Sequence, residues 1–399
     1  MRRQRVPALL TLVSTLLLSP ACVTGSSKPT SQWSGLDSAG RVDCGNWPLR
    51  DGDLSVSQVQ FLQGTPPGLI STGKLRDSST VHYYTPFKES SDVDADDLGR
   101  VDIGRGSVIL GSAKIGTKWF LAVAQRSKGK FNLELRGYGD NVVRFSAPGL
   151  PNSLQSGSIV NVTGGFWLSL KESEQSAYVM FVRQGKGSGR LEVVKFDDLS
   201  LTSIPVLLPV EGEPQVHVFT FDPQSAGQRK SDVFVLQTLS QDGKASRKSR
   251  LEIPLDSAVE SWSIAEHKGK ILLSWVDGDS MVGEAKMRIG EVAVTESSVN
   301  LSWDNQKPLT DVHVSEPMWL KGDDSVRGVI LKWVDEESTL ASYKVIAGTV
   351  SAPRFSGVFP KGSRLVDAFS DDDGDPWIII RSKEKDRWNF QLCRLIGLK

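Results

Sequence analysis

An all-β protein is predicted, a β-propeller of about seven four-stranded blades, with the ring closed by an N-terminal strand in the last blade. Three observations predict it. Six short apolar runs recur along the chain at comparable spacing, and each is followed at a near-constant distance by an alternating strand. A lone cysteine also stands at each end of the series, where the last repeat runs out of chain before a fourth strand. A four-stranded antiparallel unit of this size, repeated many times, suits a propeller blade.

The runs are 119–125 (WFLAVAQ), 178–184 (YVMFVRQ), 233–239 (VFVLQTL), 271–277 (ILLSWVD), 329–335 (VILKWVD) and 377–383 (WIIIRSK). Each opens with three apolar residues, mostly β-branched or aromatic, and is too short for an amphipathic helix. The fourth and fifth share Leu-x-Trp-Val-Asp, with Leu273, Trp275, Val276 and Asp277 matching Leu331, Trp333, Val334 and Asp335. Repeated tryptophans of this kind read as blade packing. The partner strands are 131–135, 191–196, 250–253, 286–289, 343–346 and 389–392, where alternation turns one face inward and the other to water. Further strands at 166–170 and 262–265 lead into tight turns ahead of a run. The unit is therefore strand, buried strand, alternating strand and a variable fourth. Segments 55–62 and 80–85 supply material for another blade. Turn residues are plentiful, with 37 Gly and 19 Pro, and no comparable amphipathic helix competes. A β-sandwich array is the rival architecture, but it does not explain cysteines at opposite ends of one repeat series.

The N-terminus reads as an address. Arg2, Arg3 and Arg5 precede an apolar stretch at 6–18 that is too short to span a bilayer. It ends in Leu17-Leu18-Ser19-Pro20-Ala21-Cys22. This resembles a bacterial lipoprotein signal, which implies cleavage before Cys22 and a lipid (palmitate among its acyl chains) on that cysteine. Ser19 and Pro20 depart from the family's preference for Leu three places before the cysteine and a small residue two before; an ordinary secretory signal is the other reading. Val23 stands where inner-membrane retention favours Asp, so the resemblance points to the outer membrane. Segment 23–41 is rich in Gly, Ser and Thr and reads as a tether. The predicted organisation is a signal peptide at 1–21, a tether at 22–41 and a propeller at 42–399.

With Cys22 lipidated, Cys44 and Cys393 remain in an oxidising compartment, where a pair favours a disulfide. That bond requires Cα atoms within about 7 Å. Segment 41–44 would meet the requirement by supplying the missing fourth strand of the last repeat. Two separately buried thiols are the alternative.

Charge narrows the function. The 47 basic and 47 acidic residues and a pI near 6.9 argue against nucleic-acid binding. His82, His217, His267 and His313 lack metal-ligand spacing. The acidic segment Asp92, Asp94, Asp96 and Asp97 fails the EF-hand pattern, with Asp97 where Gly is needed and Ile103 where Glu is needed. It reads as a solvated loop, with bound calcium the weaker alternative, so neither a metal site nor a cofactor is expected. No Gly-x-Ser-x-Gly elbow or phosphate loop occurs.

Ser370, Asp372, Gly374 and Trp377 fit Ser-x-Asp-x-Gly-x-x-Trp, which resembles the Asp-box of sialidases; the resemblance implies a tight structural hairpin, not a catalytic group. A sialidase also needs three arginines, a tyrosine nucleophile with its glutamate, and an acid-base aspartate, and its early Arg-Ile-Pro signature is absent. With no catalytic residue identified, the expectation is a non-enzymatic outer-membrane scaffold, anchored by lipid, with envelope proteins as partners. The alternative is a carbohydrate-active or carbohydrate-binding propeller with a glycan ligand.

Overall fold

The computed structural model describes most of residues 41–397. Residues 1–40, the last two residues and a number of inter-strand segments, the longest being 146–155, 223–230, 278–285 and 305–316, lie outside the described residues. Cys22, the signal and the tether are therefore among those outside.

Seven antiparallel sheets form a ring, each running from an inner strand at the axis to an outer one. Blade 1 comprises Asp53–Leu62, Gly68–Leu75, Thr80–Pro86 and Gly99–Val101. Blade 2 is Val108–Ile115, Lys118–Ser127, Lys130–Gly137 and Val142–Phe145, and blade 3 is Ser156–Val162, Gly165–Ser173, Ser176–Gln184 and Leu191–Ser200. Blade 4 takes Val206–Pro209, Val216–Asp222, Ser231–Leu239 and Ser249–Pro254; blade 5 takes Val259–His267, Lys270–Asp277, Lys286–Val294 and Val299–Asp304. Blade 6 is Met318–Trp319, Arg327–Val334, Glu337–Ile346 and Arg354–Pro360, with Thr349–Val350 added at the end of its third strand. Blade 7 draws three strands from the end of the chain, Arg364–Ser370, Pro376–Glu384 and Arg387–Ile396, and its outer strand, Arg41–Asn46, from the start. This is the predicted seven-bladed, strand-closed propeller.

The closing strand sets Arg41 opposite Ile396 and Asn46 opposite Gln391. Cys44 lies directly across from Cys393, with Cα atoms 4.1 Å apart, and the two form the predicted disulfide across 349 residues.

The repeat register differs from the sequence reading in two blades. The runs at 178–184 and 233–239 fall on the third strands of blades 3 and 4, not the second. Second strands begin at Gly68, Lys118, Gly165, Val216, Lys270, Arg327 and Pro376, so the true spacing is more even than the one inferred. The cause is physical. Both middle strands of a blade are covered on two faces, so either can carry the continuous apolar run.

Blades pack face to face, and each seam is an apolar layer. At the seam of blades 1 and 7 the Phe61 and Phe369 rings stack with centroids 3.6 Å apart, while Phe87 meets Phe369 and Trp377 edge-on. Burying each such ring stabilises the fold by roughly 2–3 kcal/mol. Polar atoms join other seams: Trp167 Nε1 donates to the Pro214 carbonyl at 3.0 Å, and Ser169 Oγ to that of Pro205 at 3.1 Å. Trp275 is fully buried, in keeping with a packing role, whereas the Trp333 side chain lies outside the described residues. Gly328 admits the ring of Tyr343 directly opposite it, since a Cβ there would overlap that ring.

Loss of the disulfide releases the closing strand in the unfolded ensemble and leaves its hydrogen bonds to hold the ring alone. The Cys44→Ser/Cys393→Ser double variant is expected to be less stable by about 2–5 kcal/mol in urea unfolding.

Candidate functional site

The four motif residues fall in the hairpin between the inner and second strands of blade 7. Ser370 ends the inner strand, Gly374 adopts φ +78° in the turn, and Trp377 is fully buried in the second strand. Asp372 is exposed, and the turn is organised by its neighbour. Asp371 Oδ1 accepts the backbone N–H groups of Asp373 at 3.1 Å and Asp375 at 2.7 Å, and its Oδ2 accepts Trp377 Nε1 at 2.8 Å. Arg327 of blade 6 clamps the turn from outside, donating to the Gly374 carbonyl at 2.7 Å, and Arg394 pairs with Asp375. The hairpin is a structural latch between blades 6 and 7.

The acidic segment behaves as a capped turn. Asp94 Oδ1 accepts the Asp96 N–H at 3.1 Å at the head of the short 3-10 turn Ala95–Asp97, and Asp97 pairs with Lys88 at 2.7 Å. Among the described residues no group of three or more His, Cys, Asp or Glu is placed to hold a metal ion. His82 Nδ1 meets Thr72 Oγ1 at 3.0 Å and His217 Nδ1 meets Thr238 Oγ1 at 2.9 Å, two cross-strand pairs of one kind. Burial pushes His82 down to about 4 and His217 in the same direction. His267 ends the inner strand of blade 5, and His313 lies outside the described residues.

Two cavities bear on function. An axial channel of about 840 Å³ is lined by the inner strands, with polar and apolar surface in nearly equal share. Its charged side chains include Glu266, Lys268, Arg327 and Asp367. Asp367 is buried, with Oδ2 accepting the Phe61 N–H at 3.1 Å. Of the sialidase set, the described lining therefore presents one arginine, one glutamate and one aspartate, and no tyrosine.

The second cavity, about 900 Å³, wraps the end of blade 7 where its second and third strands turn. Strand alternation gives it two unlike flanks. Toward blade 1 it presents Asp43, Trp47, Lys383 and Trp388, a residue 37% exposed whose ring carries the Arg381 guanidinium 4.3 Å from its centroid. Toward blade 6 it presents Asn46, Ser382, Asn389 and Gln391, with Gln391 Nε2 donating to Asn46 Oδ1 at 3.1 Å. The apolar seam of blades 6 and 7 stops near Cys44 and Cys393, and the amides begin where it stops. Gly357, at φ +74°, brings blade 6 close: a Cβ there would stand 2.8 Å from Val42.

Sequence reasoning missed this cleft, because Asn46 and Trp47 join Trp388 and Gln391 only through ring closure. The signal available was Trp388-Asn389-Phe390-Gln391, where large apolar and amide residues alternate in a strand flanked by blades on both sides.

No protein-family model matches the chain, and no curated protein matches it. Solved propellers do. The chain is similar to the subtype N10 neuraminidase-like protein of A/little yellow-shouldered bat/Guatemala/060/2010 (12% identity over 75% of this chain and 98% of that one, TM-score 0.45). It is also similar to the NanB sialidase of Streptococcus pneumoniae (8% identity, 88% and 70% coverage, TM-score 0.41) and to the Aleuria aurantia lectin solved with α-methyl-L-fucoside (10%, 82% and 97%, TM-score 0.37). At such identities the likeness concerns architecture. Two expectations, the protein scaffold and the non-enzyme, are not kept: the solved structures matched include sialidases, a family-43 glycoside hydrolase and a fucose-specific lectin.

The two buried imidazoles set a pH dependence. Folded, they stay neutral; unfolded, they take protons below the ordinary value of 6.5. Stability is expected to fall as pH drops from 6.5 towards 4, where His82 itself begins to titrate in the folded chain, and to lose part of that slope in His82→Gln, as read by urea midpoints across the range.

Proposed function

We propose that this chain is a glycan-binding β-propeller, exported and held at the outer membrane by a lipid on Cys22. The observation that carries the binding reading is the blade 7 cleft, where planar amides and a half-exposed indole line one cavity. A saccharide hydroxyl both donates and accepts, and so does a side-chain amide. The Gln391–Asn46 bond engages one Gln391 Nε2 hydrogen and one lone pair of Asn46 Oδ1, so it leaves the Asn46 amide hydrogens and Gln391 Oε1 for a ligand. Trp388 offers an apolar face to the C–H side of a sugar ring, and pockets of this mixed character are the usual form of small-ligand sites. A carbohydrate-active second reading places hydrolysis in the axial channel, whose lining includes the Glu266 carboxylate. Incubation of the same protein with sialosides reads that possibility directly.

Gln391→Ala and Trp388→Ala are each expected to weaken oligosaccharide binding on a glycan array and in calorimetry by about tenfold, with the melting temperature little changed. Array silence of the native protein would end the binding reading. For the anchor, Cys22→Ala is expected to move the protein from the membrane to the soluble fraction and to abolish palmitate incorporation.

A further inference from the structure

We infer that Cys44 is a thiol-exchange site: a dithiol reductant attacks its Sγ from the outer edge of blade 7, displaces Cys393 and unlatches the closing strand Arg41–Asn46. A thiolate cuts a disulfide by attacking one sulfur in line with the S–S bond, so the sulfur that reacts is the one with an open line of approach. The strand order of blade 7 settles which one that is. Arg41–Asn46 is the edge strand, Arg387–Ile396 lies next to it and Pro376–Glu384 next again. Cys44, Cys393 and Ile378 therefore stand in one cross-strand row, running from the outside of the ring inward.

The two sulfurs differ accordingly. Behind Cys393 the row continues into Ile378, and both residues are 0% exposed, in an apolar cluster with Ile380 and Leu395. An in-line approach to Cys393 would have to pass through that packed layer. Behind Cys44 the sheet ends. Cys44 is half-buried and lines the cleft of about 900 Å³.

The chemistry balances as two exchanges. The first thiolate of the dithiol bonds to Cys44 Sγ as the Cys44–Cys393 bond breaks, and the electron pair leaves on Cys393 Sγ, which takes a proton from water. The second thiol of the dithiol, once deprotonated, attacks the dithiol's own sulfur in the mixed disulfide. The dithiol departs as its internal disulfide, and Cys44 leaves as a thiolate that takes a proton. The protein disulfide has then gained two electrons and two protons, and the dithiol has lost them.

What the bond holds is small and local. The closing strand has six residues and a hydrogen-bonded ladder with one neighbour, whereas each of the other six blades is cut from one continuous stretch. Segments with so few partners open at a lower free energy than the body of a fold. Asn46 ends that strand and Trp47 follows it, and both line the cleft, so reduction also dismantles one of the cleft's walls.

The test begins with the full chain, exposed briefly to reduced glutathione, a monothiol that stops at the mixed disulfide. Free thiols are then blocked with N-ethylmaleimide, and peptide mapping reads each cysteine separately. Among the first adducts formed, glutathione is expected on Cys44 about tenfold more often than on Cys393. After complete reduction with dithiothreitol, hydrogen exchange in Arg41–Asn46 and Arg387–Ile396 is expected to accelerate by about tenfold, while Lys118–Ser127 and Lys270–Asp277 keep their protection. In the single variants, the Cys44 thiol of Cys393→Ser is expected to take maleimide in the native protein, and the Cys393 thiol of Cys44→Ser to resist it until urea unfolds the chain. Should either variant fail to fold, adduct mapping on the native chain still decides. Glutathione found equally on both cysteines, the mark of attack on an unfolded chain, or mainly on Cys393, would overturn the site. Exchange unchanged by reduction, or accelerated throughout the ring, would overturn the unlatching.

Discussion

A short strand from the start of the chain, hydrogen-bonded along a strand at its end, is the constraint on which the molecule depends. Six blades are each cut from one continuous stretch, while the seventh exists only when Arg41–Asn46 lies against Arg387–Ile396. Without that strand, blade 7 has three strands and an open edge of unpaired backbone groups, the kind of surface that natural sheets cover. The Cys44–Cys393 bond sits in the middle of this pairing, so covalent closure and hydrogen-bonded closure act at the same place.

The site grows out of the same closure. A blade seam needs apolar side chains only as far as a neighbouring blade covers them. On the blade 6 side of blade 7 the cover thins past Cys44 and Cys393, and the residues change from Ile378, Ile380 and Leu395 to Asn46, Gln391 and Asn389. The cleft is thus the unfilled end of a packed interface, and both of its flanks use groups from the closing segment. The axial channel is different in origin, being lined by the inner strands of all the blades, with its buried aspartate spent on fixing the Phe61 backbone.

Much of the architecture was legible because a propeller repeats one hydrophobic pattern at near-constant spacing. The fold, the closing strand and the pairing of the cysteines all followed from that periodicity together with the chain's two ends. The second strand of blade 1, Gly68–Leu75, escaped notice because it buries Ser71 and small residues in place of a continuous apolar run. In blades 3 and 4 burial on both faces of two adjacent strands hid which one came second. In the blade 7 hairpin the motif spacing singled out Asp372, yet Asp371 is the carboxylate that faces Trp377, since a turn selects by backbone geometry that spacing alone does not reveal. The cleft was the least legible feature. Its flanks come from opposite ends of the chain, and no local pattern joins them.

The order of manufacture gives this closure a temporal meaning. A ribosome releases residue 41 long before residue 396, so the opening strand waits through the synthesis of all seven inner strands for the partner it pairs with. Every intermediate blade can pair internally as it emerges, but the ring, its covalent seal and the cleft beside it arrive together, once Arg387–Ile396 has been made. Formation of the seventh blade therefore also forms the cleft.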